Sequence, residues 1–556
     1  MAKQGIKVWT VRIALLLLGL VVLAALALWL FLRGSLARLD GSLPTPGLAA
    51  DVTVERDAHG VPMISGRDRN DIAYATGYLH AQERFFQMDL MRRSGAGELA
   101  ELFGPKAVPL DRAHRLHRFR ARAEAALRDM DVEQRRLIER YVAGVNAGLH
   151  DLSARPFEYA LAGAAPRDWN AADSLLVVYA MYLDLQDNLA ARELARGWLR
   201  EHSTPEQLAI LLPEASSWDA PLDADAVHVP ALAIPARAPD WWGRPAVASS
   251  TRIASRDIVD AVGSNNWAVA GSRSASGAAI VSNDMHLGLR LPNIWYRIAT
   301  RYPGADGSPR RTVGVTLPGA PPVAVAGSNG HVAWGYTNSY GDFLDLIRVE
   351  SDPAKAGQVR TPAGWETPVE QRETILVKGA PAERMVVRET RYGPLFEAGG
   401  TAYALHWVAH LPGAVNFNLR HIESANTVEE ALKAANTLGI PGQNFMVGDD
   451  QGNIGWTIAG LLPRRAQPGF ASSYPVAADG DTFTEVLDPA AYPRVINPAG
   501  GQLSTANIRQ LDGAGQFLIG DGGFDIGARN RQIRDALGAL GPRATPRDVY
   551  AVTLDD

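Results

Sequence analysis

The chain contains no cysteine, and this absence excludes several kinds of chemistry at once. Disulfides, thiolate metal sites, iron–sulfur clusters and cysteine nucleophiles all need a thiol. An excess of positive charge is also missing, because 55 basic residues face 60 acidic ones and the net charge is −5. Nucleic-acid binding needs a basic face, so we expect no nucleic-acid partner. With 47% hydrophobic and 21% charged residues, the composition indicates a folded globular chain.

Several common catalytic signatures are missing too. The sequence has no G-x-S-x-G nucleophile elbow, no S-x-x-K, no H-E-x-x-H, no P-loop and no G-x-G-x-x-G. These absences argue against a conventional α/β-hydrolase, a metalloprotease of the usual kind and a nucleotide-binding enzyme.

One long apolar run lies near the N-terminus, at residues 13–32. As a helix it would cover roughly 30 Å, enough to cross a bilayer core. A slight basic bias before it favours residues 1–12 as a cytoplasmic tail. We therefore predict a single-pass inner-membrane anchor that carries a periplasmic catalytic part. A signal peptide cleaved near residues 35–37 is the alternative, and it would export the same part.

The composition and the spacing of apolar residues change along the rest of the chain. Residues 33–50 read as a tether, and the part from 51 to 235 shows helical spacing of apolar residues. A Pro- and Ala-rich spacer follows at about 236–263. Short alternating strands broken by Gly and Ser then occupy most of 264–556. Helices first and strands later indicate the α+β class.

Two helices can be bounded from the sequence. The pattern predicts one helix from 70 to 103, stopped by Gly104 and the proline after it. Thr545, followed by Pro546, predicts the N-terminus of a final amphipathic helix. That helix runs barely three turns before the sequence ends, so we expect a C-terminal truncation.

The most informative segment is the Gly263-Ser264 pair, which opens the first strand after the spacer. A Gly-Ser pair alone is an ordinary way to begin a strand. The pair becomes a stronger candidate for a functional site because Asn283-Asp284-Met285-His286-Leu287 follows it. In this segment His286 lies 22 residues after Ser264. Further segments occur in a fixed order: RD (56–57) with GVP (60–62), GYLHAQERFFQM (77–88), RR (92–93) through ELFG (101–104), NG (329–330) with WG (334–335), D449 with GNIG (452–455), TAN (505–507) and Arg529.

Together these segments resemble the penicillin acylase family of N-terminal nucleophile hydrolases, over about residues 51–556. His286 is similar to the cephalosporin acylase and acyl-homoserine lactone acylase branch, since the penicillin G-specific branch carries Gln there. The resemblance implies a four-layer αββα sandwich. It also implies a precursor cut into an α subunit, about 51–235, and a β subunit starting at Ser264, which stay together as a heterodimer.

The implied chemistry agrees with what a serine can do at a chain terminus. In the precursor the Ser264 nitrogen is a neutral amide and cannot act as a base. Attack of the Ser264 hydroxyl on the Gly263 carbonyl, followed by hydrolysis, would free an α-amine. The ordinary pKa of such an amine is about 7.7–8, so it can accept the hydroxyl proton without a His–Asp pair. No organic cofactor is expected.

The resemblance also assigns the residues around Ser264. His286 would hydrogen-bond its amine or hydroxyl. The tetrahedral oxyanion needs fixed donors, and the family pattern supplies the Asn507 side chain and the backbone N–H of Asn338. Another alignment offset would select the Val332–Ala333 region instead of Asn338. Arg529 would orient Asn507 or the substrate.

An apolar acyl pocket and a structural calcium site complete the implied set. The pocket would be lined by Leu287, Ala326 and Tyr336. Calcium prefers several hard oxygen ligands, and the residues that match the family are Glu193, Asp342, the Leu344 carbonyl and Asp345. Asp521 is near the position of a further family ligand but out of register.

The sequence therefore favours a self-processing hydrolase that cleaves the linear amide bond of an N-acyl small molecule, such as a β-lactam side chain or an acyl-homoserine lactone. A γ-glutamyl transferase-like hydrolase of the same superfamily uses Thr as nucleophile, and Ser264 argues against it. An inactive, membrane-anchored binding or scaffold relative is the alternative from a different functional class.

Overall fold

The computed structural model describes residues 2–555 except 46, 225–226, 228, 230, 244–262, 305, 467–468 and 470–472. Most of the predicted spacer at 236–263 therefore lies outside the described residues. The described part combines helices with mainly antiparallel sheets, as the α+β class predicts.

The helices are concentrated before residue 212 and recur near the end of the chain. In chain order they are α1 (Ala2–Gly34), α2 (Arg69–Ala96), α3 (Ala100–Phe103), α4 (Val108–Arg115), α5 (Phe119–Asp129), α6 (Val132–His150), α7 (Phe157–Leu161), α8 (Ala171–Gln186), α9 (Asn188–Glu201), α10 (Pro205–Leu211), α11 (Val428–Ala435), α12 (Ala514–Ile519), α13 (Ala528–Ala539) and α14 (Pro546–Ala551).

The strands, apart from the first two, follow residue 262. They are β1 (Thr53–Arg56), β2 (Pro62–Ser65), β3 (Gly263–Val269), β4 (Ile280–His286), β5 (Tyr296–Pro303), β6 (Pro309–Thr316), β7 (Ala326–Ser328), β8 (Val332–Asn338), β9 (Leu344–Arg348), β10 (Val359–Thr361), β11 (Gly364–Glu366), β12 (Val369–Ile375), β13 (Glu383–Thr390), β14 (Gly393–Ala398), β15 (Thr401–Trp407), β16 (Gln443–Asp449), β17 (Ile454–Ala459), β18 (Pro463–Arg464), β19 (Glu485–Val486), β20 (Arg494–Ile496) and β21 (Gln502–Thr505).

Helix α1 contains the 26-residue segment Trp9–Gly34, in which an 18-residue stretch has a mean hydropathy of 3.0 and no residue buried in the body of the protein. This length and composition suit a membrane anchor or a signal sequence. The chain packs onto the helical part immediately afterwards. Ser35 is buried, and the Ala154 N–H donates to the Gly34 carbonyl at 2.9 Å.

The helix predicted at 70–103 is shorter than expected. Helix α2 ends at Ala96 because Gly97 adopts the left-handed conformation (φ 66°), and its N–H caps the carbonyls of Arg93 and Ser94. The sequence after Gly97 resumes only as the single turn α3. Gly104 therefore ends a separate short helix.

The final helix begins where the sequence predicts. The Thr545 side chain accepts the Asp548 N–H, and the Asp548 side chain returns the bond to the cap, as in a capping box. The amphipathic stripe is only partly realised, because Val549 is buried whereas Tyr550 and Leu554 are exposed.

Three sheets of three or more strands make up most of the β-rich part, and two further pairs, β10 with β11 and β18 with β19, form two-stranded sheets. The largest has nine strands in the order β1-β2-β5-β6-β7-β8-β16-β17-β20, and a second has the order β12-β13-β14-β15-β9. The third is small, with β3 at its centre between β21 and β4. Within these sheets the described pairings are antiparallel except that of β2 with β5.

The small sheet lies between the large sheet and two C-terminal helices. Strands β3 and β4 contact β8, while α13 contacts β21 and α14 contacts β4. On the large sheet, α11 contacts β16 and β17, and α2 contacts β2 and β5. Because side chains alternate along a strand, Trp267 and Val269 of β3 pack towards α13 and α14, with Ile533 and Leu537. Ser264 belongs to the opposite face.

Candidate active site

Ser264 is the second residue of β3 and is buried between the small and large sheets. Its Oγ accepts the backbone N–H of Asn338, at the end of β8, over 3.2 Å. It also accepts the Asn507 Nδ2 group over 3.4 Å. The two donors reach the same oxygen from β8 of the large sheet and from the segment that follows β21 of the small sheet. Ala333, the alternative donor position, lies five residues earlier in β8 and pairs there with Gly448 and Ser328.

Asn507 touches both reactive atoms of Ser264. Its Oδ1 accepts the Ser264 backbone N–H at 2.9 Å and an Arg529 N–H at 3.0 Å. Because both partners can only donate, the atom between them must be the amide oxygen. The Asn507 Nδ2 group must then face Ser264 Oγ and the Asn338 carbonyl, to which it donates at 3.0 Å. Arg529 thus fixes the orientation of the donor.

Asn507 follows β21 in the left-handed conformation, with φ 63°. This conformation costs a non-glycine residue energy, although Asn tolerates it better than most. The side chain is also nearly fully buried, at 1% exposure. Strain and burial of a polar group at one position are typical of a residue held for a function.

His286 lies opposite Gly263 in the pairing of β4 with β3. Its Nδ1 faces the Asp284 carboxylate at 3.3 Å. A methyl group placed on the Gly263 Cα would lie 2.7 Å from His286 Nε2, so the ring lies against the peptide that precedes Ser264. The hydrogen bond from His286 lowers the pKa of Asp284, outweighing partial burial.

Three residues near Ser264 contact the predicted site residues, although the sequence assigned no role to them. Asp284 pairs with His286, and Asn265 Oδ1 accepts an Arg529 N–H at 2.8 Å. Asn283 Nδ2 donates to the carbonyls of Asn265 and Tyr336, which joins the small sheet to the large one. All three are in or beside the segments that carry the resemblance. Alternation along β3, which turns Asn265 towards α13, was the available signal.

An apolar cavity of about 120 Å³ opens beside Ser264. Leu287 and Tyr336 line it, as predicted, together with side chains such as Met181, Leu185 and Trp295. Ala326 does not line the cavity, although its neighbour Val325 does. Val325 directly precedes β7 and Ala326 is its first residue, and neighbouring side chains of an extended chain point to opposite faces.

Tyr336 brings a polar atom to this apolar region. Among the described residues its buried hydroxyl has no hydrogen-bond partner. Burial raises the pKa of this phenol far above its ordinary value, so the group stays protonated. A buried hydroxyl without a partner is costly, and this one lies on a residue of the cavity wall.

Three of the predicted calcium ligands come together beside the guanidinium of Arg465, and the fourth, Leu344, lines a small cavity with Glu193 and Asp342. Glu193, Asp342 and Asp345 are all buried, and Arg465 forms ion pairs with both aspartates. Burial, and then the neighbouring aspartates, raise the pKa of Glu193 well above its usual range. Within the described part of the chain, no three His, Cys, Asp or Glu side chains are placed to hold a metal ion. The residues therefore do not fit the expected ion.

Two acylases of Pseudomonas are similar to this chain over most of its length. Acyl-homoserine lactone acylase QuiP of Pseudomonas aeruginosa is 32% identical over 502 residues, which are 86% of this chain and 57% of that protein. Penicillin acylase 2 proenzyme of Pseudomonas sp. is 29% identical over 497 residues, 86% of this chain and 61% of that one. The chain spans about three-fifths of the length of these curated relatives.

A solved structure and a family model complete the comparison. Thermostable penicillin G acylase from Alcaligenes faecalis, in its orthorhombic form, aligns over 52% of each chain with a TM-score of 0.45 and 23% identity. The family model for penicillin amidase matches residues 51–556, the whole range over which the sequence motifs suggest the resemblance. The chain belongs to the penicillin amidase family.

Proposed function

We propose that the chain is a self-processing amidohydrolase that cleaves N-acyl small molecules through an acyl-enzyme on Ser264. The observation that carries this proposal is the double contact of Asn507 with the nitrogen and the oxygen of Ser264. A nucleophile that is its own base needs both atoms held in one geometry, and a single side chain holds them here. The curated relatives are named as acylases, which supports the same reaction class.

Processing begins with attack of Ser264 Oγ on the Gly263 carbonyl carbon. The Gly263–Ser264 C–N bond breaks, the hydroxyl proton ends on the Ser264 nitrogen, and an ester links the two residues. Water then hydrolyses the ester, which leaves Gly263 with a carboxylate and Ser264 with a free hydroxyl and amine. The His286 ring, which lies against Gly263, is placed to influence this step.

Hydrolysis of a substrate reuses the same atoms. Ser264 Oγ attacks the substrate carbonyl while the α-amine accepts the hydroxyl proton and later passes it to the leaving amine. The oxyanion forms within reach of the Asn338 N–H and the Asn507 Nδ2, which already point at Ser264 Oγ. Water then releases the acyl group and restores the hydroxyl.

The cavity narrows the range of substrates. Its lining is almost entirely apolar, so it favours an uncharged hydrocarbon or aromatic acyl group over a charged one. Its volume of about 120 Å³ is slightly below that of engineered cavities of about 150 Å³ that bind benzene. A short or aromatic acyl group fits best, on an amine such as a β-lactam nucleus or a homoserine lactone.

The same proposal includes a layered fold, two subunits and a membrane tether. The order of packed helices, small sheet, large sheet and helices supports a four-layer αββα sandwich. We propose that cleavage leaves an α subunit of about 51–235 and a β subunit from Ser264 as a heterodimer. Helix α1 would tether this dimer to the inner membrane on the periplasmic side, unless it is removed as a signal.

The test is an activity screen of the full chain, purified in detergent, on a panel of N-acyl amides and lactones. Wild type should release amine from short-chain or aromatic members of the panel. Ser264→Ala should release none, while Ser272→Ala, an exposed serine of the same segment, should behave as wild type. Hydrolysis by Ser264→Ala would overturn the proposal. Inactivity of an uncut wild type on every substrate would favour a scaffold protein instead.

A further inference from the structure

A second buried polar cluster connects helix α9 to the β-rich part, where the resemblance predicts calcium. It consists of Glu193, Asp342, Asp345 and Arg465 and is called the Arg465 cluster below. Arg465 Nη1 donates to both carboxylate oxygens of Asp345, at 2.8 and 3.0 Å. Its Nη2 donates to the Asp342 carbonyl at 3.1 Å and lies 3.2 Å from the Asp342 carboxylate. One guanidinium therefore bridges the two aspartates.

Three of the carboxylate oxygens that a calcium ion would use already accept hydrogen bonds. Calcium takes six to eight oxygen ligands at about 2.3–2.6 Å. Both Asp345 oxygens accept Arg465, and one also accepts the Thr482 hydroxyl at 2.5 Å. Glu193 accepts the Leu346 N–H at 2.9 Å. A calcium ion bound to these three oxygens would have to displace their donors.

The space next to the cluster is small and faces positive charge. A cavity of about 10 Å³ adjoins Glu193 and Asp342, which is room for a single water. Arg192 and Arg196 line the same cavity, and both form ion pairs with its other acid, Asp521, at 3.3 and 2.8 Å. A dication placed there would meet two guanidiniums at close range.

Because the Arg465 cluster is buried, the pairing of its charges matters for the stability of the fold. The side chain of Arg465 is 8% exposed and that of Asp345 is fully buried. A buried carboxylate needs a cationic partner, whereas a buried guanidinium needs carboxylates, and removing either partner is strongly destabilising. Arg465 meets both needs by sharing its two terminal nitrogens, with Nη1 on Asp345 and Nη2 on Asp342, through charge-assisted bonds.

We propose that the guanidinium of Arg465 replaces the structural calcium ion of the family in this chain. It would provide, as part of the polypeptide, the positive charge that holds Asp342 and Asp345 beside Glu193 of helix α9. The junction between the helical and β-rich parts would then be stable without metal. This proposal is independent of hydrolysis at Ser264.

The experiment measures thermal unfolding and metal content of the full chain in detergent. Wild type should contain no stoichiometric calcium after purification in calcium-containing buffer. Its Tm should be the same with excess chelator and with millimolar calcium. A calcium content near one ion per chain, or a Tm that falls on chelation, would overturn the proposal.

Variants at adjacent arginines sharpen the test. Arg465→Gln should lower Tm by on the order of 5–10 °C. Calcium should raise the Tm of Arg465→Gln, because the released carboxylates can then accept a metal, but not that of wild type. Arg464→Gln removes the same charge from an exposed arginine paired with Glu485 and should leave Tm unchanged.

If Arg465→Gln yields no folded protein, Arg465→Lys gives the answer, because it keeps the charge and loses only the second nitrogen that bridges Asp345 and Asp342. It should fold without metal and remain insensitive to chelator. Calcium-dependent folding of Arg465→Lys, or an Arg465→Gln variant as stable as wild type, would contradict the proposal.

Discussion

Two buried polar clusters join separate segments of the chain, and their hydrogen bonds differ in kind. At Ser264 the bonds to Oγ are long and neutral, 3.2 Å from the Asn338 N–H and 3.4 Å from the Asn507 amide. In the Arg465 cluster the bonds to Asp345 are short and charge-assisted, at 2.8 and 3.0 Å. The first set lies at the weak end of hydrogen-bond geometry and the second near its optimum.

The difference follows from what each cluster has to do. Donors that must stabilise a charge appearing only in a transition state gain nothing from a strong bond to the resting hydroxyl. A cluster that only connects elements is stabilised when its buried carboxylates already have a cationic partner, as Asp342 and Asp345 have in Arg465. Substitutions in the two regions should therefore have different effects. Those around Ser264 should alter the rates of processing and hydrolysis, and those around Arg465 should alter the stability of the fold.

The largest effect on chemistry is expected for Asn507→Ala. Removal of one donor to an oxyanion typically lowers turnover on the order of 10²–10³-fold, about 2.7–4 kcal/mol. Substrate affinity should change far less, because the ground-state carbonyl carries little charge. Turnover must be measured on the fraction that matures, since processing passes through its own tetrahedral intermediate.

Asn497→Ala is a matched control for this substitution. Asn497 also adopts a left-handed conformation, with φ 49°, so Ala meets similar backbone strain there. It lies outside the site and should retain wild-type turnover. Wild-type turnover of matured Asn507→Ala would remove Asn507 from the mechanism.

Gly263→Ala should slow maturation and leave the mature enzyme unaffected. The new methyl group would lie 2.7 Å from His286 Nε2, which must move and disturb the attack geometry. Misplacement of this kind costs on the order of ten- to a hundredfold in rate. Once cleavage occurs, Gly263 is no longer attached to Ser264, so turnover per mature molecule should be normal. A time course on denaturing gels measures the first effect and a substrate assay the second.

Gly288→Ala provides the control, because a methyl group there would meet nothing within 4 Å. It should mature at the wild-type rate. Equal maturation of Gly263→Ala and wild type would show that His286 is not constrained by Gly263 as the structure indicates.

Asp284→Asn should lower turnover by roughly tenfold, the cost commonly seen when a partner that orients a histidine is lost. The pKa of Asp284 lies below its ordinary value because His286 stabilises the carboxylate. The Asp284 carboxylate therefore contributes fully to stability above the unfolded-state pKa of about 3.9. That contribution is lost only as pH falls through the lower pKa of the folded state. The rate profiles of variant and wild type should run parallel between about pH 6 and 9. Converging profiles would show that another group titrates with Asp284.

The smallest effect is expected for Tyr336→Phe. The substitution removes a buried hydroxyl that has no partner among the described residues, so Tm should stay the same or rise slightly. Turnover of substrates with plain hydrocarbon or aromatic acyl groups should also be unchanged. A clear loss of stability would mean that this hydroxyl has a partner, such as a buried water.

The sequence predicts the surroundings of Ser264 better than those of Arg465. His286, Asn507 and Arg529 lie in recognisable segments, and the structure brings all three to the same strand end. Arg465 is in no such segment, and only the tertiary structure places it between two aspartates. Matching ligands by sequence position alone therefore cannot reveal that a guanidinium lies among them.

The same limit applies to local elements. The end of α2 at Gly97 depends on a left-handed backbone that the apolar pattern does not encode. Ala326 is one residue from a cavity-lining position, and on a strand one residue changes the face. Thr545, by contrast, is predicted correctly because a capping box is local in sequence.

The central claim is that Ser264 becomes an N-terminal nucleophile, and N-terminal sequencing of the purified full chain tests it most directly. Wild type should yield a chain that begins Ser264-Asn265-Asn266-Trp267, while Ser264→Ala should remain a single uncut polypeptide. The same cut in Ser264→Ala, or a mature chain that begins at another residue, would contradict the account.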